Sequence, residues 1–174
     1  MNPALRDATR LLGQGLSLSF WRMPRSRPVF AGFGHFLVAC ALSLALYFAE
    51  DHALTEAPAT LYGDSFHAHA SYFLLLLAAS WIAARILLRP ALWLPLATLA
   101  VLVGIIWDAI ALWVFGIWLP TDETLRRSAW HILLALFGWL ALYRCTSFLS
   151  QATAPFRRLA ASIVFALVLA WPWY

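Results

Sequence analysis

Long apolar runs alternate with short polar segments along almost the whole chain. The runs cover about 29–48, 70–88, 92–118, 128–149 and 159–174, and the first contains no Asp, Glu, Lys or Arg. An α-helix needs about 20 apolar residues to cross roughly 30 Å of bilayer hydrocarbon. The pattern therefore predicts an all-α fold, in which a polytopic transmembrane helical bundle with five spans occupies residues 29–174.

Two of the runs depart from the ideal length. The run 92–118 is too long, so tilt, a kink at Pro95 or an interfacial start must absorb the excess. The run 159–174 has only 16 residues and ends in Trp171-Pro172-Trp173-Tyr174, an aromatic sequence typical of a membrane interface. This last segment either crosses the bilayer or lies at its outer interface, which would leave four spans.

Residues 1–28 are polar and basic. Four apolar residues recur there at helical spacing: Leu5, Ala8, Leu12 and Leu16. Arg6, Arg10 and Gln14 lie elsewhere on the helical wheel. The spacing predicts a short amphipathic helix on the cytoplasmic leaflet, as part of a basic interfacial segment. Pro24 and Pro28 then mark a turn into the membrane.

The composition supports a membrane protein. The 174 residues are 63% hydrophobic and only 11% charged, whereas a soluble domain is about half apolar and about a quarter charged. Too little polar surface remains to cover a water-soluble globule. Cys40 and Cys145 lie in different apolar runs at different predicted depths, so we expect two unpaired thiols.

The basic residues indicate the orientation. All twelve are Arg, and they flank the apolar runs instead of forming a stripe for nucleic acid. With the N-terminus in the cytoplasm, ten Arg fall on the inner side and only Arg126 and Arg127 on the outer side. Eight of the ten are candidates for orientation and lipid-headgroup contact: Arg22, Arg25, Arg27, Arg85, Arg89, Arg144, Arg157 and Arg158. The absence of Lys indicates a bacterial source, so we expect the inner membrane, with the C-terminus outside.

Asp108 is the sharpest candidate for chemistry, because it lies inside the third apolar run. A carboxylate at mid-membrane costs a few kcal/mol unless it is paired or hydrated. His131 lies about one turn into the fourth run, at a comparable predicted depth, and is its best partner. The pair is either a proton or cation relay or a polar contact that fixes helix packing.

The other histidines give weaker signals. His67 and His69 lie in the predicted outer loop 49–69 near acidic residues, a donor set that suits zinc, but no third ligand stands at a recognised spacing. An exposed loop is the simpler interpretation. His35 lies beside Gly32 and Gly34. These glycines favour a close helix contact, with His35 bonded to backbone or to Ser.

The layout resembles that of Yip1-type membrane proteins. The features that carry the resemblance are Leu5-Arg6 and Leu11-Leu12 in the basic segment, the acidic outer loop, and the Arg89-Pro90 turn. The layout is also similar to the membrane region that precedes legumain-like (C13) peptidase domains in some bacterial proteins. The first resemblance implies a scaffolding or membrane-organising role. In neither case does a catalytic residue carry over.

We therefore expect a non-enzymatic protein without a cofactor, which acts through contacts with lipids and with other membrane helices in a homo- or hetero-oligomer. One alternative is a small ion- or proton-coupled transporter or channel subunit that uses Asp108 and His131. The other is the membrane anchor of an extracytoplasmic peptidase-type enzyme. No nucleic-acid, nucleotide or nucleophile motif occurs in the sequence.

Overall fold

The computed structural model describes residues 3–54, 63–113 and 124–170, and every regular element in these ranges is helical. The α-helices are α1 Pro3–Ser19, α2 Phe33–Leu54, α3 Gly63–Ile86, α4 Trp93–Trp113, α5 Thr124–Leu149 and α6 Pro155–Ala170. A single 3₁₀ turn, Pro90–Leu92, leads into α4. Over these ranges the prediction of an all-α fold with a short helix near its start is confirmed.

The helix ends differ from the predicted ones around the outer loop. α2 continues to Leu54 and α3 begins at Gly63, so Glu50, Asp51, His67 and His69 lie in helices. The prediction that the whole stretch 49–69 is a loop is wrong. Hydropathy reports which residues suit lipid, whereas a helix continues wherever its backbone hydrogen bonds are favourable.

The start of α4 shows whether the long third run needs a kink at Pro95. Pro95 lies in the first turn of α4, where the amide hydrogen that proline lacks would have no partner within the helix. A kink at Pro95 is therefore not needed. The end of that run, 114–118, lies outside the described residues.

Helices α3 to α6 form a ring in chain order. α3 packs against α4 and α6, and α5 packs against the same two helices. One buried cluster joins the second halves of α3 and α5 to the first half of α4 and the middle of α6; its members include Ala79, Ala83, Leu96, Leu99, Cys145, Phe148, Ala161 and Phe165. Because these parts meet, neighbouring helices run antiparallel. The α3–α4 and α5–α6 turns consequently lie at one end of the ring.

The first two helices lie outside this ring. α2 packs against α4, and α1 packs against α4 and α5. α4 thus has neighbours on most of its circumference, which suits its sequence, the most apolar of the six helices. The position of α1 against two ring helices determines the candidate site.

Within the described residues, one helical stretch is long and apolar enough to cross a membrane, Pro90–Ile110, with a mean hydropathy of 2.0. The shorter apolar stretches are Phe33–Ala49, Ala70–Ile86 and Ala135–Leu149. A buried core helix of a soluble protein passes the same test, and about half of the Pro90–Ile110 stretch is buried in the bundle. The number of spans therefore stays a prediction.

Two helices end in a left-handed residue that is not glycine. Trp21 has φ 57° and Leu88 has φ 56°. At both sites the backbone bonds are those of a Schellman motif, with Arg22 N–H donating to Ser17 and Arg89 N–H to Ala84. Trp21 is held by ring contacts described below, whereas the side chain of Leu88 is 67% exposed.

Replacing Leu88 with glycine should stabilise the protein. Glycine removes the Cβ penalty of the left-handed conformation, and little packing is lost, so we expect Leu88→Gly to raise the free energy of unfolding by roughly 0.5–1 kcal/mol. Thermal unfolding in detergent micelles measures the change. Leu88→Ala is the matched control, because it shortens the side chain and keeps the strained Cβ. An equal gain from both variants would show that the backbone strain is not the cause.

Candidate functional site

Helix α1 presents three different faces. Leu11, Gln14 and Leu18 are buried against the bundle, with exposures of 2%, 1% and 0%. Leu12 and Leu16 are about half exposed. The third face is exposed and polar and consists of Arg6, Thr9, Arg10 and Gly13. The expectation that Gln14 belongs with the polar residues is wrong, because the bundle covers a different sector from the one that the leucine spacing indicates.

Gln14 is buried because its amide fastens the chain between α1 and α2. Its Nε2 donates to the Ser26 hydroxyl at 3.0 Å and to the Arg27 carbonyl at 2.8 Å. Its Oε1 accepts from the Val29 N–H at 3.3 Å. A buried amide without partners would cost about 1–3 kcal/mol. These three bonds therefore fix the stretch of residues 20–32, which we call the basic linker.

An aromatic stack fixes the other end of the basic linker. The ring of Trp21 lies 5.0 Å from that of Phe137 in α5 and 6.1 Å from that of Trp107 in α4, between ring centroids. Its indole N–H donates to the Phe137 carbonyl at 3.4 Å. Trp107 follows Trp93 by fourteen residues, or about 21 Å along α4. The start of the basic linker thus lies well along α4 and away from the Arg89 turn.

This position conflicts with a simple placement of residues 1–28 on the cytoplasmic leaflet. Arg22, Arg25 and Arg27 are exposed, and Arg22 follows the Trp21 that contacts Trp107. If α4 crosses roughly 30 Å of hydrocarbon from its first residue, these charges lie beside the hydrocarbon. The leaflet placement stays a prediction, and it requires the bilayer to adapt around the basic linker.

The other predicted lipid-contact residues gather at the end of the ring that carries the two short turns: Arg85, Arg89, Arg144, Arg157 and Arg158. The guanidinium of Arg85 lies 5.0 Å from the Trp81 ring centroid, and that of Arg157 lies 5.6 Å from the Phe156 ring centroid. Cation–π contacts of this kind leave the outer edge of the guanidinium available to a phosphate.

Asp108 lies in the other half of α4 and its side chain is exposed on the chain taken alone. Asp108 interacts electrostatically with the partly buried Tyr72 of α3. Cys40 of α2 also interacts electrostatically with Tyr72. Three helices thus bring a carboxylate, a phenol and a thiol to one region of the bundle.

His131 lies in α5, but its side chain is outside the described residues. The Trp107 and Phe137 rings stack at 5.9 Å, and on antiparallel helices this sets Asp108 opposite about residue 136. His131 is five residues from that position, an axial offset of about 7.5 Å. The stacking therefore does not bring His131 level with Asp108, and the Asp108–His131 pair stays a prediction.

His35 has a structural role at the start of α2. His35 Nδ1 accepts a hydrogen bond from Gly32 N–H at 3.3 Å, which confirms the expected bond to backbone and caps α2. The expectation that Gly32 and Gly34 mark a close helix contact is wrong, because a Cβ added at either meets nothing within 4 Å.

The side chains of His67 and His69 lie outside the described residues. Among the described residues, no group of His, Cys, Asp and Glu could hold a metal ion. Both cysteines are free, as expected.

Gln14 and Trp21 are the important residues that sequence reasoning missed. A usable signal existed for Trp21, because Phe20-Trp21 is an aromatic pair inside an otherwise basic segment. Gln14 offered none, since a glutamine beside two arginines on a helical wheel looks solvated.

Double-mutant cycles should separate the two candidate partners of Asp108. We expect Asp108→Asn and Tyr72→Phe to couple by more than about 0.5 kcal/mol in the free energy of unfolding, because the two side chains interact electrostatically. Asp108→Asn and His131→Gln should couple by less than about 0.5 kcal/mol because of the axial offset. Denaturant unfolding in micelles measures both cycles. A larger coupling with His131 than with Tyr72 would restore the predicted pair.

Comparison with known proteins adds no relative, since no protein-family model, curated protein or solved structure matches the chain. The likeness to Yip1-type proteins and to the membrane region of C13 peptidase proteins therefore rests on layout alone. Any function has to come from the chain's own residues.

Proposed function

We propose that this chain is a non-enzymatic, multi-pass membrane protein that organises the lipid around it. In this proposal the apolar helices cross the bacterial inner membrane, with the Arg-rich turns in the cytoplasm and the C-terminus outside. The basic linker, held against α4, draws headgroups and water toward the bilayer interior. Three observations support the proposal.

The first is the outer surface of the bundle. Large apolar side chains are about half exposed or more on α1, α2, α3, α5 and α6, among them Leu16, Phe33, Val38, Leu74, Trp81, Ile132, Leu136 and Leu167. Apolar surface exposed to this extent promotes aggregation in water. Lipid would cover it without cost.

The second observation is the separation of charge along the ring. Arg85, Arg89, Arg144, Arg157 and Arg158 lie at the end with the short turns. Asp64 lies at the start of α3, and Glu50 and Asp51 lie near the end of α2, which places them toward the opposite end. The five Arg residues at the turn end fit the positive-inside rule, although Arg126 and Arg127 lie at the start of α5, toward the other end.

The third observation carries the organising role, and it is the contact of Trp21 with Trp107 and Phe137. This contact holds Arg22, the next residue along the chain, beside α4, the helix best suited to cross the membrane. A guanidinium beside hydrocarbon is relieved by snorkelling, local bilayer thinning and water entry. The basic linker would therefore thin the adjacent leaflet.

Scattering from lipid nanodiscs tests the role of the basic linker. The bilayer around the wild-type protein should be thinner than the protein-free bilayer by on the order of a few ångströms. Replacing Arg22, Arg25 and Arg27 together with Gln should restore most of this thickness, because the charges that attract headgroups are gone. The matched control replaces Arg85, Arg89 and Arg157 with Gln, which removes the same charge from the turn end. We expect the control to keep the thin bilayer. Equal thickness in the wild type and in the linker variant would contradict the proposal.

Asp108 favours a second candidate function, a proton- or cation-coupled transporter or channel subunit. Its carboxylate lies in an apolar helix within electrostatic reach of Tyr72, and intramembrane carboxylates often mark ion pathways. Proton flux into vesicles that is abolished by Asp108→Asn would favour this candidate over the organising role.

A further inference from the structure

A groove of about 610 Å³ runs between α1, α2 and α4. Its volume falls within the roughly 300–1,000 Å³ of typical small-molecule sites. Leu12 of α1, Val38 and Leu42 of α2 and Thr98 of α4 contribute to its lining. It is separate from the Asp108 region, which lies farther along α4.

The groove suits an apolar chain. Leu12, Val38 and Leu42 are 50%, 61% and 48% exposed, so its walls continue into the apolar outer surface of the bundle. The Thr98 hydroxyl donates to the Leu94 carbonyl at 2.9 Å and needs no further partner. An occupant from the bilayer could therefore enter sideways without leaving an apolar environment.

Two glycines keep the groove open. Gly32 and Gly34 line it, and a Cβ added at either would meet nothing within 4 Å. Neither has a positive φ, so the backbone does not require glycine there. Packing does not require glycine either. The absence of a side chain at these two positions leaves the groove unfilled.

The end of the groove at Gly32 and Gly34 complements a negative charge. His35 lines this end and accepts the Gly32 N–H at Nδ1, so the neutral imidazole carries its proton on Nε2 as a donor. The first turn of α2 contributes the positive end of the helix dipole. Exposed Arg27 precedes Gly32 by five residues in the basic linker.

We propose that the groove holds one acyl chain of an anionic phospholipid from the surrounding bilayer, with its phosphate at the amino end of α2. The inference rests on the part of the proposed function that places these helices in a bilayer, because the bilayer supplies the lipid. It adds a specific lipid site to a general effect on the bilayer.

Photolabelling of the full chain in phosphatidylcholine vesicles tests the acyl-chain site. The probe is a phosphatidylglycerol with a diazirine in one acyl chain, and mass spectrometry locates the adducts. We expect adducts near Leu12 and in the 38–42 segment of the wild type. Gly34→Leu fills the groove and should reduce them about tenfold, a loss of roughly 1.4 kcal/mol in binding.

Gly138→Leu is the matched control for Gly34→Leu. Gly138 also has room for a Cβ but lies outside the groove, so its variant should label as the wild type does. Circular dichroism of both variants verifies folding. Adducts spread evenly over exposed residues such as Leu136 and Leu167, or unchanged by Gly34→Leu, would overturn the acyl-chain site.

His35→Glu tests the headgroup separately. Glutamate at this position can still accept the Gly32 N–H, as in a capping box, but it places a negative charge beside the phosphate. Labelling by phosphatidylglycerol should fall about tenfold, while labelling by a diazirine phosphatidylcholine should persist. Phosphatidylglycerol labelling that is unchanged by His35→Glu would overturn the phospholipid assignment. So would labelling of the wild-type groove by a diazirine fatty acid but not by the diazirine phosphatidylglycerol.

The two proposals fail in distinguishable ways. A protein that thins the bilayer through its basic linker but labels evenly would refute the groove site alone. A protein that labels in the groove without thinning the bilayer would refute the organising role and leave the binding site standing.

Discussion

The contact between α1 and the middle of α4 is the interaction on which the other features depend. A Cβ added at Gly15 would lie 2.9 Å from the Cβ of Leu102, so only glycine lets the two helices come this close. This approach buries Gln14, whose amide then fixes the basic linker. It also forms one wall of the groove and brings Trp21 to Trp107 and Phe137.

The same contact resolves the conflict between a basic segment and an apolar bundle. On its own, a basic amphipathic helix would lie on the membrane surface. Here the buried face of α1 packs against α4 and α5, while Leu12 and Leu16 face outward beside its polar face. α1 thus has a buried face for protein, an exposed apolar face and an exposed polar face, as the proposed organising role requires.

The helices could be predicted from the sequence because each apolar run is long enough to dominate its local structure. Their ends at Leu54 and Gly63 could not, since a helix tolerates acidic residues and histidines beyond the end of its apolar run. The burial of Gln14 depends on hydrogen bonds to Ser26, Arg27 and Val29. These residues lie outside α1, so a helical wheel of α1 does not show them. The depth of Asp108 relative to α5 depends on the Trp107–Phe137 stack, and only a three-dimensional structure gives that register.

Alanine substitution at two glycines of α1 tests the α1–α4 contact most directly. Gly15→Ala adds a Cβ that would lie 2.9 Å from the Cβ of Leu102. The account predicts that this overpacking lowers the free energy of unfolding by about 1–3 kcal/mol. Gly13→Ala is the matched control, because a Cβ there meets nothing within 4 Å, and it should leave the free energy of unfolding unchanged or raise it by up to about 1 kcal/mol. Equal effects of the two variants would contradict a fixed contact between α1 and α4.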